Sequence, residues 1–145
     1  MTRSILVEDD PSQYDDIIRR LRRLEQGIPE DVHWVGAAGE PAFQNSWVNY
    51  DAAAGPVGRA AFFYRYNGRV YLGGVIKSGA NNTTAFTLPA GYLPFLQGSS
   101  AFAVTASLAA ANIAVLPSGD VNPSNQPGSS VTTWCHLDGV SFRHA

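Results

Sequence analysis

The dipeptide Asn67-Gly68 is the feature that most constrains what this chain can fold into. Both residues adopt a positive φ readily, as the two central positions of a type I′ turn require. The flanking runs 61–66 and 69–76 are rich in aromatic and β-branched residues, so we expect them to pair as an antiparallel hairpin. Gly73-Gly74 interrupts the second arm and predicts a bulge or a close backbone approach. Residues 85–88 predict a third strand of the same meander.

The rest of the chain after residue 40 also favours short strands separated by turn residues. Residues 121–129 contain two prolines and a glycine, and we interpret them as a polar loop. The resulting fold class is mainly β: an antiparallel β-sandwich or jelly roll preceded by a short N-terminal α-helix. Further strands are expected at 43–50, 100–107, 111–116, 130–137 and 140–143.

A single helix is predicted near the N-terminus, from Pro11 to about Gln26. Asp10 is suited to cap it, Pro11 suits the first helical position, and Gly27 suits the position just after the last turn. Apolar residues follow one another at spacings of three and four, which is the pattern of a heptad seam. The seam consists of Tyr14, Ile17, Leu21, Leu24 and Ile28.

Two arrangements of this helix are open, because a helix of this length is marginal alone in water and must bury its apolar stripe. The stripe either packs on the chain's own β domain or bundles with copies of itself. The strict heptad with charged flanks favours bundling. The seam residues do not select strongly between a trimer and a dimer.

Charge divides the chain at about the same place. Eight of the twelve acidic residues and five of the ten basic residues lie in residues 1–31. We therefore predict an N-terminal arm with an oligomerising or anchoring helix at 1–31 and a β-sandwich domain at 32–145. The second part has no basic stripe for nucleic acid. No apolar run is long enough to span a membrane, and no signal core is present at the N-terminus.

The sequence offers no arrangement of residues that predicts catalysis, a metal site or a cofactor. The single cysteine, Cys135, and the three histidines lack chelating spacing, and no serine lies in a nucleophile-elbow pattern. The four carboxylates after residue 31 lie mostly beside Gly or Pro, where a turn role is expected rather than a glycosidase pair. We therefore expect a protein that is not an enzyme; release of sugar or muropeptide from cell walls would contradict this.

Aromatic residues are the remaining candidates for a functional surface. Amphipathic rings can stack on sugar faces or anchor protein interfaces, although packing in a core or between subunits is the ordinary role of any single ring. Tyr64 and Tyr66 share one face of the predicted hairpin, opposite Phe63. The candidate surface-binding aromatics are Trp47, Tyr50, Tyr64 and Tyr66.

Four segments, taken in order, carry a resemblance to a known family: 46–50 (SWVNY), 63–79 (FYRYNGRVYLGGVIKSG), 86–94 (FTLPAGYLP) and 137–143 (LDGVSFR). Together they are similar to the β-rich C-terminal domain of bacteriophage tail and fibre proteins, over about residues 41–145. The resemblance implies a virion structural protein, made in the host cytoplasm and usually trimeric. It implies an exposed β-domain that contacts a host-surface glycan or protein, and it carries over no catalytic residues.

The location in the virion stays open at this point. A tail-associated protein, fibre-like or a minor tail protein, would attach to the tail baseplate through its N-terminal segment. The alternative is a capsid decoration or head-fibre protein that docks on the shell through the same segment, since fibres that carry such β domains are often much longer.

Overall fold

The computed structural model describes residues 11–26, 31–95, 100–107, 109–125 and 130–145. The chain divides into two compact units, Met1–Glu30 and Asp31–Ala145. The described part of the first unit is one helix, and that of the second is built from antiparallel strands. The predicted fold class, mainly β with a short N-terminal helix, is confirmed. None of the described residues forms a helix that is long and apolar enough to cross a membrane.

The helix α1 extends over Pro11–Gln26, within the predicted bounds. Proline suits its first position, because the missing N–H has no partner inside the helix there and the ring fixes a helical φ. Asp16 pairs with Arg19 at 2.5 Å and with Arg20 at 3.4 Å on the exposed surface of the helix. The predicted cap residues Asp10 and Gly27 lie outside the described residues.

Three residues of the apolar stripe of α1 are exposed. Tyr14, Ile17 and Leu21 keep 52%, 48% and 49% of their surface accessible. Ile28 lies outside the described residues, as does the side chain of Leu24. A seam between copies of the helix therefore remains a prediction, which the exposure of its first three members supports.

Eleven strands make up the described part of the second unit: β1 (His33–Trp34), β2 (Val48–Asn49), β3 (Phe62–Tyr66), β4 (Arg69–Gly73), β5 (Val75–Lys77), β6 (Phe86–Thr87), β7 (Ser100–Ser107), β8 (Ala109–Val115), β9 (Asp120–Asn125), β10 (Ser130–His136) and β11 (Ser141–Arg143). A four-stranded sheet has the order β1-β3-β4-β11, and a seven-stranded sheet has the order β2-β5-β10-β7-β8-β9-β6. All of the pairings are antiparallel.

The predicted hairpin is confirmed as the pair β3–β4, with Tyr66 opposite Arg69. Its two turn residues, Asn67 and Gly68, have φ values of 52° and 80°, as a type I′ turn requires. This short connection fixes the register of the four-stranded sheet.

The predicted interruption at Gly73-Gly74 is the corner at which the chain passes from one sheet to the other. Gly74 has a φ of 98°, and a Cβ there would lie 2.4 Å from the carbonyl oxygen of Ala60. Its backbone N–H donates to Asp138 Oδ1 at 3.0 Å. The arm predicted as one strand is therefore two strands in different sheets, because this backbone bend turns the chain between them.

The core lies between the two sheets and receives buried side chains from both. Alternation along β3 and β4 turns Phe63, Val70 and Leu72 inward. Fully or almost fully buried members of the core cluster include Phe63, Val70 and Leu72 from the four-stranded sheet, and Ile76, Phe86, Ala106, Ile113, Val115, Val121 and Cys135 from the seven-stranded sheet. Both sheets therefore bury one face in a common core, as in a β-sandwich.

Two strand predictions are wrong. The segment interpreted as a polar loop begins with β9, which pairs with β8 and places Pro123 opposite Ile113. The carbonyl of Pro123 accepts from Asn82 N at 3.0 Å, so the backbone N and O of Pro123 point away from β8. Because that N faces away from β8, the N–H that proline lacks is not needed for a hydrogen bond between β8 and β9. In the predicted first strand 43–50, only Val48–Asn49 is β-structure.

Candidate functional site

A pocket of about 290 Å³ lies on the outer face of the seven-stranded sheet. It is formed where β2, β5 and β10 lie side by side in that sheet. His136 is opposite Val75 in the register, and Val75, 1% exposed, contributes to the pocket wall. The residues that line the pocket are Tyr50, Arg59, Val75, Trp134 and His136.

Alternation along β10 places Trp134 and His136 on the pocket side and Cys135 in the core. The two pocket rings meet at 86° with centroids 5.3 Å apart, and they form a corner. His136 Nδ1 lies 3.4 Å from Asp138 Oδ2. Burial raises the pKa of the Cys135 thiol to about 12, so this residue is not a thiolate nucleophile near neutral pH.

The other side of the pocket is built from the two ends of one loop, residues 51–58. The backbone of Val75 holds both ends, because its carbonyl accepts from Tyr50 N at 3.0 Å and its N–H donates to Arg59 O at 2.9 Å. The ring of Tyr50 lies beneath two cations, with Arg59 Cζ 4.9 Å and Lys77 Nζ 5.5 Å from its centroid. Tyr50 is thus half-buried and held in place from several directions.

An ion pair also fixes the orientation of Arg59. Its Nε and Nη2 donate to Asp51 Oδ2 at 2.9 and 2.7 Å, and its backbone N–H donates to Asp51 Oδ1 at 3.2 Å. These hydrogen bonds, the side-chain ones first, hold the pKa of the Asp51 carboxyl below its ordinary value. The positive charge of Arg59 is therefore compensated by a carboxylate beside it.

Of the four aromatic residues predicted to bind at the surface, Trp47 is in the core. It is 1% exposed, and a Cβ on Gly79 would lie only 2.0 Å from its ring. Its indole N–H donates to Thr83 Oγ1 at 3.0 Å, so its polar atom is satisfied inside the protein. The placement of Trp47 on a binding surface is wrong.

Tyr64 and Tyr66 lie together, but on the outer face of the four-stranded sheet and away from Tyr50. Tyr64 stacks nearly parallel on Phe62, with centroids 6.1 Å apart, and on Tyr71, with centroids 5.2 Å apart. Neighbouring rings thus cover the faces of Tyr64, which makes it a poor platform for a sugar. Tyr66 is half-buried on the same face. Ligand binding by Tyr50, Tyr64 and Tyr66 remains a prediction, and the pocket supports it for Tyr50.

The carboxylates of the described β unit that the sequence singled out all have structural partners. Glu40 contacts His33 Nδ1 through both oxygens at 3.0 Å, and Asp120 accepts from Thr87 Oγ1 at 2.6 Å. Asp51 accepts hydrogen bonds from Arg59, and Asp138 accepts one from the backbone N–H of Gly74. Among the residues that the structure describes, no three potential metal ligands cluster.

Sequence reasoning did not select Arg59, Trp134 or His136 as site residues. The local signal at Trp134 and His136 was the alternation of a strand, which places both on one face. No local signal connects them to Tyr50 and Arg59, because the pairing of β2, β5 and β10 brings these distant segments together.

No protein-family model matches the chain, and a sequence search of curated proteins gives no match. Among solved structures, the chain is similar to the crystal structure of the receptor binding protein (gp15) of Listeria phage PSA, with a TM-score of 0.62 and 18% sequence identity. The match covers 98% of this chain and 82% of that chain. The fold is therefore one that a bacteriophage receptor binding protein adopts, and the predicted resemblance to such phage proteins is confirmed.

Proposed function

We propose that this chain is a tail-associated structural protein of a bacteriophage virion, fibre-like or a minor tail protein, whose β unit binds the host cell surface. The observation that carries the proposal is the fold match over 98% of the chain to a phage receptor binding protein. The aromatic pocket supports it, because it is an outward-facing concavity with rings and hydrogen-bonding groups. The receptor is a glycan or a protein of the host envelope.

The proposed role is binding and not catalysis. The carboxylates that a hydrolase would use are engaged in turns and ion pairs of the described β unit. Cys135 is buried with a raised pKa. These contacts fit a rigid binding module better than a pair of groups poised to transfer protons.

Other virion proteins and copies of this chain are the proposed partners of the N-terminal unit. The exposed stripe of α1 gives the helix an apolar surface to bury, and a homotrimer would present three β units together. The β unit carries few charges, so nucleic acid is not a proposed partner.

The test is competition for adsorption. Purified protein, added to host cells before virions that carry it, should reduce adsorption in a dose-dependent way, and heat-unfolded protein should not. Antibody against the β unit should label the tail tip in electron micrographs. Unchanged adsorption together with label on the head shell would contradict the proposal and identify a capsid decoration or head-fibre protein; absence of label from all particles would remove both.

A further inference from the structure

We propose that the pocket formed by Tyr50, Arg59, Val75, Trp134 and His136 binds a single uncharged sugar unit, with the indole of Trp134 as its stacking surface. The inference rests on the proposed function and specifies the ligand class and the residues. Three observations carry it: the corner of two rings, the compensation of charge, and the size of the pocket.

The corner of Trp134 and His136 presents two different kinds of wall. A pyranose has an apolar face of C–H groups and an edge of hydroxyls. The perpendicular arrangement of the two rings, at 86°, can meet both at once, with an indole face for the C–H groups and an imidazole nitrogen for a hydroxyl. Tyr50 is less suited to stacking because Arg59 and Lys77 lie over its ring. Trp134 is therefore the stacking residue.

The two basic side chains that line the pocket, Arg59 and His136, each face a carboxylate of the protein. Asp51 takes two of the five N–H donors of the Arg59 guanidinium, and Asp138 faces His136 Nδ1. An anionic ligand would have to compete with Asp51 for Arg59 and would approach the carboxylate of Asp138. A hydroxyl can instead accept from the remaining guanidinium N–H groups without disturbing the ion pair. The pocket thus favours a neutral, hydroxyl-rich ligand over an anion.

The volume limits the ligand to one unit. Ligand pockets in proteins span about 300–1,000 Å³, and this one, at about 290 Å³, is at the lower end. A longer saccharide would place one unit in the pocket and the rest over the neighbouring surface.

The experiment is saturation-transfer NMR on the full chain with D-glucose, D-galactose and N-acetyl-D-glucosamine as neutral probes and D-glucuronate as the anionic one. At least one neutral sugar should show transfer, and glucuronate should bind more weakly. Trp134→Ala should weaken the neutral sugar roughly tenfold or more. Trp34→Ala is the matched control, because Trp34 is half-buried in the other sheet and packs on Phe62; it should bind like the wild type.

A second measurement covers the case in which Trp134→Ala fails to fold. The Trp34→Phe variant keeps two tryptophans, Trp47 in the core and Trp134 in the pocket. Titration with the neutral sugar should still change the tryptophan fluorescence of this variant in a saturable way, because Trp134 contacts the ligand. Absence of transfer from all three neutral sugars, a preference for glucuronate, or unchanged binding by a folded Trp134→Ala variant would each overturn the inference. Blocked adsorption without sugar binding would support the proposed function and contradict the sugar site. Sugar binding without blocked adsorption would support the sugar site and contradict the proposed function.

Discussion

At the scale of single residues, Gly74 decides which sheet the following strand joins. Its φ of 98° turns the chain, and its missing side chain lets the backbone of Ala60 approach. Gly68 in the hairpin turn also has a positive φ, of 80°, but a Cβ there would meet nothing within 4 Å. A comparison of alanine substitutions at these two glycines therefore separates the energetic cost of a left-handed backbone conformation from the cost of a steric clash.

We expect Gly68→Ala to lower the free energy of unfolding by about 1–2 kcal/mol, the cost of a positive φ for an L-residue. Gly74→Ala should lower the free energy of unfolding by that amount and by about 1–3 kcal/mol more, because the added Cβ would collide with the backbone of Ala60. Urea denaturation of the two variants and the wild type measures both losses. Equal losses would show that the approach of Ala60 is not tight.

At the scale of secondary-structure elements, α1 carries an apolar stripe of which three residues are exposed. Leu21 lies on the exposed apolar stripe and Arg22 lies off the predicted seam. Leu21→Ala should weaken self-association by about 1.5–3 kcal/mol, the contribution of burying a leucine side chain. Arg22→Ala should leave self-association unchanged, because Arg22 lies off the seam. Both substitutions introduce alanine, which favours the helix, so the two variants can be compared directly. Light scattering over a range of concentrations measures the mass; a monomeric wild type, or the same mass for both variants, would contradict the seam.

The elements that local chemistry determines were predictable from the sequence. The helix could be placed because Pro11 fixes a φ suited to its start, and the hairpin because Asn67-Gly68 tolerates a positive φ. The strand through Pro123 could not be predicted in this way. A proline is compatible with a strand only where its nitrogen faces away from the neighbouring strand, and the sequence does not show which way it faces. The sheet change at Gly74 was visible only as an interruption, since sheet membership is set by pairing partners far away in the sequence.

At the scale of the whole molecule, the β unit has a core of its own. Its buried residues come from both sheets and include the large side chains of Trp47, Phe63 and Phe86. A fragment of residues 31–145 should therefore fold alone, with cooperative thermal unfolding and a near-ultraviolet circular dichroism spectrum like that of the full chain. The full chain is the control. Loss of the aromatic signal in the fragment would mean that the N-terminal unit is needed to complete the core.

The candidate site depends on this whole-molecule scale, which explains why it was only partly predictable. Tyr50 was selected as an amphipathic aromatic residue, and it does line the pocket. Trp47, three residues earlier, was selected for the same reason and is buried, because a two-residue strand gives no alternation from which to assign its face. Sequence could name the class of side chain but not the neighbours that decide its exposure.

The loop of residues 51–58 is tied at both ends, by the backbone of Val75 and by the pair of Asp51 with Arg59. Its middle is rich in alanine and ends in Val57, which is 70% exposed. Because the ties are at the ends, we expect Ala53 and Val57, which are exposed between them, to tolerate substitution without moving the pocket walls. The same scaffold can therefore present different side chains beside the pocket, so we expect new contacts there to arise at little cost to stability.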